Sequence, residues 1–348
     1  MVLRDYQQEM LSRLFVAWQR HRSVMVQMPT GAGKTVLLAK AIGQCAVGEK
    51  ESVLIVAHRR ELLDQIRATI KAFGISDGTV RVESIQKLSK DSSASAFAPS
   101  LVIIDEAHHA LAKTYRVLWE RWPEARFLGL TATPCRLGGE AFTDLFDVLL
   151  ESWSIQTFID KGWLSDFEYV SARPDSEMMR RVRSLKKRGA DGDYQPKEMA
   201  AVMDVPESVR HLYLTYRQFA EGKKGIVYAI DRRHALHIAD FYQRQGVSCC
   251  VIDSKTPAAE RELLVRDYQA DRLKVLVNVD IFIEGFDCPE VEFIQLARPT
   301  LSLAKYLQQV GRGMRVSEGK PHVLILDNVG LYQTFGLPTD ERDWRQMF

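Results

Sequence analysis

The sequence predicts an α/β protein with two doubly wound parallel sheets in tandem. Short apolar runs rich in valine and isoleucine alternate with longer amphipathic segments along the chain. Runs of this length that are apolar throughout indicate strands buried on both faces of a parallel sheet. The pattern occurs twice, and 348 residues exceed what one hydrophobic core usually holds, so we expect two domains.

The apolar runs supply the predicted strands, and the segments between them supply the helices. The strands are expected within SVMVQM, SVLIVA, SLVIID, RFLGLTA, GIVYAI, VSCCVI, KVLVNV, VEFIQLA and HVLILD. Stretches such as RRELLDQIRATIKAF and PAAERELLVRDYQAD are typical of the helices that connect parallel strands. We expect a first domain over residues 1–165, a basic connecting segment over residues 166–205 and a second domain over residues 206–348.

Composition and charge are those of an ordinary globular protein, with 46% hydrophobic and 26% charged residues. The net charge of +2 allows a local basic patch for nucleic acid without arguing for one. The N-terminus is charged where a signal peptide needs an apolar run, and no apolar stretch approaches membrane-spanning length. We therefore expect a cytoplasmic protein without membrane association. The cysteines lack metal-ligand spacing and are expected to be reduced, mostly buried thiols without zinc: Cys45, Cys135, Cys249, Cys250 and Cys288.

A phosphate-binding loop is predicted in VMVQMPTGAGKTVLLAKAI, where an apolar strand, a glycine-rich turn and a helix follow one another. Backbone N–H groups of such a turn and the positive end of the following helix hold phosphates. Lys34 is expected to reach the β- and γ-phosphates of ATP, and Thr35 to ligate Mg²⁺. The strict pattern has glycine where this chain has Met28. The expected cofactor-binding residues of the loop are Pro29, Thr30, Gly31, Ala32, Gly33, Lys34 and Thr35.

A pair of acids completes the predicted nucleotide site in LVIIDEAHHA. Asp105 follows four apolar residues, at the carboxyl end of a buried strand, which is where ligands bind in open α/β sheets. Asp105 is expected to hold Mg²⁺ through water, and Glu106 to orient or deprotonate the attacking water. A helix N-cap is the alternative interpretation of the two acids.

The stretch QQVGRGMR combines two glycines with two arginines spaced three residues apart, a combination that an ordinary packing helix does not need. Guanidinium groups suit the negative charge that develops on the γ-phosphate during hydrolysis. Arg312 and Arg315 are therefore candidates for that role. Gly311 and Gly313 are expected to let the backbone approach the nucleotide.

Three motifs in order give the chain a family resemblance: DEAH at residues 105–108, TATP at 131–134 and QxxGRGxR at 308–315. The whole chain resembles the superfamily 2 DEAD/DEAH-box helicases. The resemblance implies two RecA-like domains, with ATP and Mg²⁺ in the cleft between them. TATPCRLGG, RPTLSLAKYLQQVGRGMR and LDNVGLYQTFGLPTDERDW are similar to the bacterial and phage branch near RadD. That branch leaves room for an additional C-terminal domain or a protein partner.

The resemblance also implies roles for single residues. The segment LRDYQ looks like the adenine-reading Q motif, so Arg4 and Gln7 would contact the base. In NVDIFIEGFDCP, Gly285 and Asp287 occupy the positions that touch the ribose and couple the domains. The catalytic set that it implies is Lys34, Asp105, Glu106, His108, Gln308, Arg312 and Arg315. His108 and the segment from Thr131 to Thr133 would connect the Mg²⁺ site to the third motif and to the arginine helix.

Residues for a nucleic-acid track are expected in both domains. AHRREL and VESIQKL resemble motifs along the nucleic-acid backbone, and IVYAIDRRHA resembles motif IV. The run with six Lys or Arg over residues 180–188 is either a solvated helix or linker, or a basic arm beside the track. His109 is interpreted as structural or surface. The candidate track residues are Arg59, Arg60, Ser84, Gln86, Arg232 and Arg233, and the tryptophans that either stack bases or pack in the core are Trp119, Trp122, Trp153 and Trp163.

The leading functional hypothesis is an ATPase that depends on nucleic acid and acts as a DNA helicase or translocase. The DEAH and GRGMR forms of the motifs favour DNA over RNA, a preference that comes from the resemblance. An RNA helicase or remodeller and the motor subunit of a restriction-type complex remain alternatives. A pure binding module is disfavoured, because it has no need of Lys34, Glu106 and Arg312 together.

Overall fold

The computed structural model describes residues 3–45, 52–58, 60–75, 78–89, 97–280 and 288–348, with only the backbone of Arg60 and Glu61. It divides into two compact units. The first contains Met1–Ser154 and Glu341–Phe348, and the second contains Ile155–Asp340.

The first unit is built on a parallel sheet, which has six strands within the described residues, in the order β3-β2-β4-β5-β1-β6. Its interior strands are buried along their length except at Arg126, the first residue of one of them. The strands are β1 (Ser23–Gln27), β2 (Val53–Ala57), β3 (Val80–Ser84), β4 (Leu101–Asp105), β5 (Arg126–Thr131) and β6 (Val148–Glu151). The helices are α1 (Asp5–Ala17), α2 (Lys34–Cys45), α3 (Arg60–Ala72), α4 (Ile85–Leu88) and α5 (Lys113–Arg121), with α14 (Trp344–Met347) from the chain's last residues.

The second unit repeats this plan with a parallel sheet of order β7-β12-β11-β8-β10-β9, again counted over the described residues. The strands are β7 (Asp166–Ser171), β8 (Gly225–Tyr228), β9 (Cys249–Ile252), β10 (Val275–Asn278), β11 (Phe293–Leu296) and β12 (His322–Asp327). The helices are α6 (Ile155–Asp160), α7 (Glu177–Ser184), α8 (Pro196–Met203), α9 (Pro206–Phe219), α10 (Arg232–Arg244), α11 (Ala258–Gln269), α12 (Leu303–Gly313) and α13 (Leu331–Phe335).

The predicted fold class is confirmed, and each of the nine apolar runs forms a strand of one of the two sheets. Three further strands, β3, β6 and β7, were not predicted. Each lies at the edge of its sheet and is largely half-buried or exposed. Because an edge strand is covered on fewer sides, it does not need the continuous apolar run by which the other strands were recognised.

The limits of the compact units differ from the predicted domain limits over three segments. Residues 155–165 were expected in the first domain but belong to the second unit. The strand β7 lies within the predicted connecting segment, yet it pairs with β12 over six residues of the second sheet. Residues 341–348 belong to the first unit, where Trp344 and Phe348 pack against its hydrophobic core. The amide of Phe142 also donates to the carbonyl oxygen of Phe348 at 2.6 Å. Strand pairing therefore assigns β7 to the second unit, and packing on the apolar core assigns residues 341–348 to the first; the composition of the segments alone indicates neither.

Within the described ranges, no helix is long and apolar enough to cross a membrane. The same ranges contain no group of three or more His, Cys, Asp or Glu side chains placed to hold a metal ion. The five cysteines, which all lie in the described ranges, form no disulfide. Cys249 and Cys288 are buried, and the other three are half-buried.

Candidate nucleotide site

The predicted phosphate-binding loop lies between β1 and α2. In the first sheet β1 is an interior strand, flanked by β5 and β6, and the loop leaves its carboxyl end. The Met28 amide donates to the carbonyl oxygen of Thr131 at 2.9 Å, which joins the loop to the end of β5. Gly31 and Gly33 have φ angles of 88° and 75°, a left-handed region that glycine adopts without steric cost. The sequence therefore folds the turn as predicted, with Lys34 as the first residue of α2.

Helix α1 packs directly against this loop. The hydroxyl of Tyr6 donates to the carbonyl oxygen of Ala32 at 2.9 Å, and Gln7 Nε2 donates to that of Gly33 at 3.5 Å. Gln7 Oε1 accepts from the Arg4 amide at 3.1 Å, so both ends of its amide are engaged. A Cβ atom on Gly33 would lie 2.7 Å from Gln7 Nε2. Gln7 thus contacts the loop itself, and its predicted contact with the base remains a prediction.

Tyr6 is a site residue that the sequence analysis missed. Its ring is buried, and it lies 5.6 Å from the ring of Trp153, centroid to centroid. Burial raises the pKa of the Tyr6 phenol, so the hydroxyl stays protonated and can donate at neutral pH. The available signal was its place beside Gln7 in LRDYQ. An aromatic residue at a helix start, however, gives no sign of the loop that its hydroxyl reaches.

The two predicted acids lie at the carboxyl end of β4. Both are buried, with Asp105 8% and Glu106 6% exposed. The Glu106 backbone is left-handed, with φ 51° and ψ 52°, a conformation that costs a residue other than glycine on the order of 1–3 kcal/mol. Among the described residues, the Glu106 side chain gives no capping bond to the short 3₁₀ helix Ala107–His109 that follows. This geometry does not favour the N-cap interpretation.

His108 connects the acids to the third motif. Its Nδ1 lies 3.1 Å from Thr131 Oγ1 and 3.5 Å from Glu106 Oε2. The Thr133 amide donates to the same threonine oxygen at 3.1 Å. The predicted neighbours of His108 are thus brought together. The ring of His109 lies between those of His58 and His108, at centroid distances of 4.3 and 4.2 Å, which fits the structural interpretation of His109.

In the second unit, α12 carries the predicted arginine motif as far as Gly313, and Gln308 and Arg312 are buried there, whereas Arg315 follows the end of the helix. Arg312 and Arg315 both act electrostatically on Tyr228, at the end of β8. Burial raises the pKa of that phenol, and the two guanidinium groups oppose the rise.

The structure supplies a different reason for Gly313 from the one expected. A Cβ atom on Gly313 would lie 2.6 Å from Val323 Cγ2 and 2.8 Å from Ile294 Cγ1. The missing side chain therefore faces the second sheet and lets α12 pack closely on β11 and β12.

Asp193 is a second residue that the sequence analysis missed, and it is 2% exposed. Its carboxylate accepts from Thr300 Oγ1 at 2.7 Å, from the Leu301 amide at 2.8 Å and from Lys305 Nζ at 2.9 Å. Burial opposes its ionisation, but these hydrogen bonds together hold its pKa below the usual value. The residue lies in the predicted connecting segment, far in sequence from α12, whose start it holds.

The candidate nucleic-acid residues are already engaged in local contacts. Ser84 caps α4 by accepting from the Lys87 amide, and Gln86 Nε2 donates to the His58 carbonyl oxygen at 3.2 Å. Arg232 pairs with Asp253 at 3.3 Å and Arg233 with Asp204 at 3.8 Å. The predicted residues that lie outside the described part of the chain are Arg59, Gly285 and Asp287, and for Arg60 this applies to the side chain.

The basic run over residues 180–188 is folded. It continues from α7 into a bridge between Arg188 and Tyr194, whose ring lies 4.5 Å from the Arg188 guanidinium. Glu177 pairs with Arg180 at 3.2 Å and with Arg181 at 3.4 Å. These ion pairs therefore compensate part of the positive charge of the basic run within the second unit.

Two of the candidate tryptophans pack in the core of the first unit. Trp119 stacks on Phe127 at 4.3 Å, and Trp122 Nε1 donates to the Phe97 carbonyl oxygen at 2.8 Å. Trp153 Nε1 donates to Glu9 at 3.0 Å, so its ring supports α1. These contacts favour the packing interpretation over base stacking for the three side chains.

Comparisons with known proteins agree with the two units. Residues 1–136 match the family described as type III restriction enzyme, res subunit, and residues 205–317 match the helicase conserved C-terminal domain. A 51.5 kDa protein of Lactococcus phage (isolate 7-9) is 34% identical over 331 residues, which cover 93% of this chain and 69% of that protein. IRC3 of Saccharomyces cerevisiae, named as an ATP-dependent helicase, is 28% identical over 361 residues, which cover 94% of this chain and 52% of that protein.

A solved structure has the same fold. It is a fragment described as an HsdR subunit of a type I restriction enzyme from Vibrio vulnificus YJ016. It superimposes with a TM-score of 0.73 at 22% identity, over 97% of this chain and 66% of that one.

Proposed function

The chain belongs to the superfamily 2 helicases and is an ATP-hydrolysing enzyme of that class, and on this premise we propose that it moves along DNA as a helicase or translocase. The observation that supports the proposal most is the arrangement at one edge of the first sheet. There the phosphate-binding loop, the acid pair and the TAT segment leave β1, β4 and β5, which are neighbours in the order β4-β5-β1. Parallel strands bring their carboxyl ends to the same edge, where α/β proteins bind nucleotides.

In the proposed reaction the loop and the start of α2 bind the phosphates of ATP through backbone N–H groups. Lys34 supports the transferred phosphate. Glu106 accepts a proton from the attacking water, and His108, 3.5 Å from Glu106 Oε2, orients that carboxylate. Arg312 and Arg315 stabilise the charge that develops on the γ-phosphate. In this proposal Lys34 and Glu106 belong to the first unit and the two arginines to the second.

Mg²⁺ is proposed as the metal cofactor. The Thr35 hydroxyl and the Asp105 carboxylate, the latter through water, would hold it, and hard oxygen donors of this kind suit Mg²⁺. When bound, the ion would neutralise phosphate charge. Asp105 Oδ1 already accepts from the Glu106 amide at 3.1 Å, which orients the carboxylate.

DNA is proposed as the track in preference to RNA. The support is the DEAH and GRGMR forms of the motifs, together with the likeness to proteins described as restriction-enzyme subunits. That likeness also keeps the motor subunit of a restriction-type complex as the second candidate function. The chain spans about half of the IRC3 relative, so further domains or partners are part of that proposal. The RadD-like branch, the base contacts of Arg4 and Gln7 and the ribose contacts of Gly285 and Asp287 are proposed on the resemblance alone.

Steady-state ATP hydrolysis tests the proposal directly. Turnover is measured with no nucleic acid and with single-stranded DNA, duplex DNA, forked DNA and RNA. The Lys34→Ala variant is the control, and Lys113→Met, at an exposed lysine of α5, is the matched surface control. DNA should stimulate wild-type turnover, and the Lys34→Ala variant should lose it. Stimulation by RNA alone would support an RNA remodeller, and turnover unaffected by Lys34→Ala would contradict the site.

A further inference from the structure

Lys320 lies in the loop between α12 and β12, and its side chain donates to backbone carbonyl groups of the described residues. Its Nζ donates to the carbonyl oxygens of Pro289 at 2.7 Å, Gly313 at 2.9 Å and Val291 at 3.2 Å. An ammonium group has three protons, and here three acceptors surround it. None of the sequence motifs includes this residue.

The three carbonyl groups belong to two segments that are separate in the chain. Gly313 is the last residue of α12, so its carbonyl lies at the negative end of the helix, where a cation is favoured. Pro289 and Val291 lie on the segment that leads into β11. Lys320 therefore ties the end of α12 to the sheet on which the helix packs. Arg312 precedes the tied residue directly, and Arg315 follows it by two.

The charged surroundings of Lys320 come from several elements. The Cys288 thiol donates to Glu290 Oε2 at 3.0 Å on the segment before β11, and Glu292 directly precedes that strand. Arg315 lies beyond α12, and Lys224, just before β8, acts on Cys288 and Glu290. Burial lowers the pKa of Lys320 to about 8; Cys288, Glu290 and Glu292 oppose this fall, and Arg315 adds to it.

We infer that Lys320 is a positioning residue for the arginine motif: by holding the Gly313 carbonyl against the entry to β11, it sets the direction of Arg312 and Arg315. This inference rests on the proposed function. The opposite end of the same helix is held by Asp193, so α12 is fixed at both ends by a charged side chain. A guanidinium that stabilises a transition state needs such fixing, since a displacement of about 1 Å can cost on the order of a hundredfold in rate.

The proposed role carries a pH signature. When the ammonium group loses a proton, two N–H groups remain for three carbonyl acceptors, and the helix end loses its cation. Turnover should therefore fall as the pH rises through about 8. The effect of the same titration on the free energy of unfolding has the opposite sign. Between about 8 and the usual value of 10.5 the unfolded chain holds the proton more tightly, so this residue's contribution to the free energy of unfolding rises with pH.

Two variants separate positioning from simple stabilisation. Lys320→Met removes the charge and every hydrogen bond, whereas Lys320→Arg retains a cation that stays protonated. We expect Lys320→Met to lower kcat by about tenfold to a hundredfold with KM for ATP within about twofold. Lys320→Arg should recover most of kcat and should lack the fall in turnover above about pH 8 that we expect for the wild type. The surface variant Lys113→Met should behave as the wild type at each pH.

Unchanged kcat in Lys320→Met, or an alkaline fall that persists in Lys320→Arg, would overturn the inference. Failure of the proposed function is recognised separately, as wild-type turnover that is absent or independent of Lys34. Amide hydrogen exchange tests the positioning without any turnover. Exchange over residues 310–314 should be faster in Lys320→Met than in the wild type and should return towards wild type in Lys320→Arg. Equal exchange in all three proteins would refute the tie.

Discussion

In the first unit the candidate functional side chains lie on segments that leave neighbouring parallel strands, whereas in the second unit they lie on one largely buried helix and just after its end. In the first unit the backbone itself turns at the phosphate-binding loop, through two glycines with positive φ, and at the acid pair, through a left-handed Glu106. The helix α12 is instead held by Asp193 and Lys320, which lie outside the motif. Local turns therefore support the candidate residues of the first unit, and long-range charged contacts support those of the second.

The largest effect is expected at the helix, where Arg312→Ala removes the proposed stabilising guanidinium. We expect kcat to fall by about 10³–10⁵ with little change in ATP affinity, because the lost interaction forms in the transition state. Steady-state kinetics and equilibrium nucleotide binding measure the two quantities. The matched control is Arg244→Ala, an exposed arginine of α10 in the same unit. A fall in affinity alone would contradict the assignment.

The corresponding change in the first unit is Glu106→Gln, which keeps the size of the side chain and removes the base. We expect turnover to fall by about 10²–10⁴ while ATP still binds. Single-turnover hydrolysis and nucleotide binding are the measurements, with Glu124→Gln as an exposed control. Normal turnover in the variant would exclude Glu106 as the base.

Asp193→Asn tests whether the start of α12 depends on a distant charge. The amide cannot accept from Leu301 and Lys305 as a carboxylate does, and a lost charged hydrogen bond costs about 1.5–3 kcal/mol. We expect a lower free energy of unfolding at neutral pH, measured by denaturant titration, and lower kcat.

The acid dependence of stability checks the same contact. The pKa of Asp193 is depressed below 3.8, so its stabilising contribution is present above that pH and is lost as the pH falls through the folded value. Combining Lys305→Met with Asp193→Asn should lower the free energy of unfolding by less than the sum of the two single changes, since both remove the Asp193–Lys305 ion pair. Full additivity would show that the two side chains act independently.

The smallest effect is expected for Tyr6→Phe, which deletes the hydroxyl that donates to Ala32. A neutral hydrogen bond of this type contributes about 0.5–1.5 kcal/mol, so KM for ATP should rise by a few-fold with kcat nearly unchanged. ATP titrations of steady-state turnover measure both. If kcat fell as strongly as in Glu106→Gln, the hydroxyl would have a role beyond supporting the loop.

The sequence was sufficient wherever one local pattern carries both structure and chemistry. Continuous apolar runs predicted nine strands, because a strand buried on both faces of a parallel sheet must be apolar throughout. The turn at Gly31 and Gly33 and the acids after β4 were predicted for a similar reason, since the turn and the strand end are encoded within a few residues. The edge strands β3, β6 and β7 lack that constraint and were missed.

Only the tertiary structure decided which distant residues support the candidate site residues of each unit. Tyr6, Asp193 and Lys320 are ordinary in their local sequence, and what marks them is the carbonyl or amide group that each reaches across the fold. The absence of a side chain at Gly313 is likewise explained by Ile294 and Val323, which lie on strands that the local sequence around Gly313 does not indicate. The local sequence pattern indicates burial and turns, because both depend on residues that are neighbours in the chain. The partner of a buried polar group is instead set by the packing of whole helices and strands.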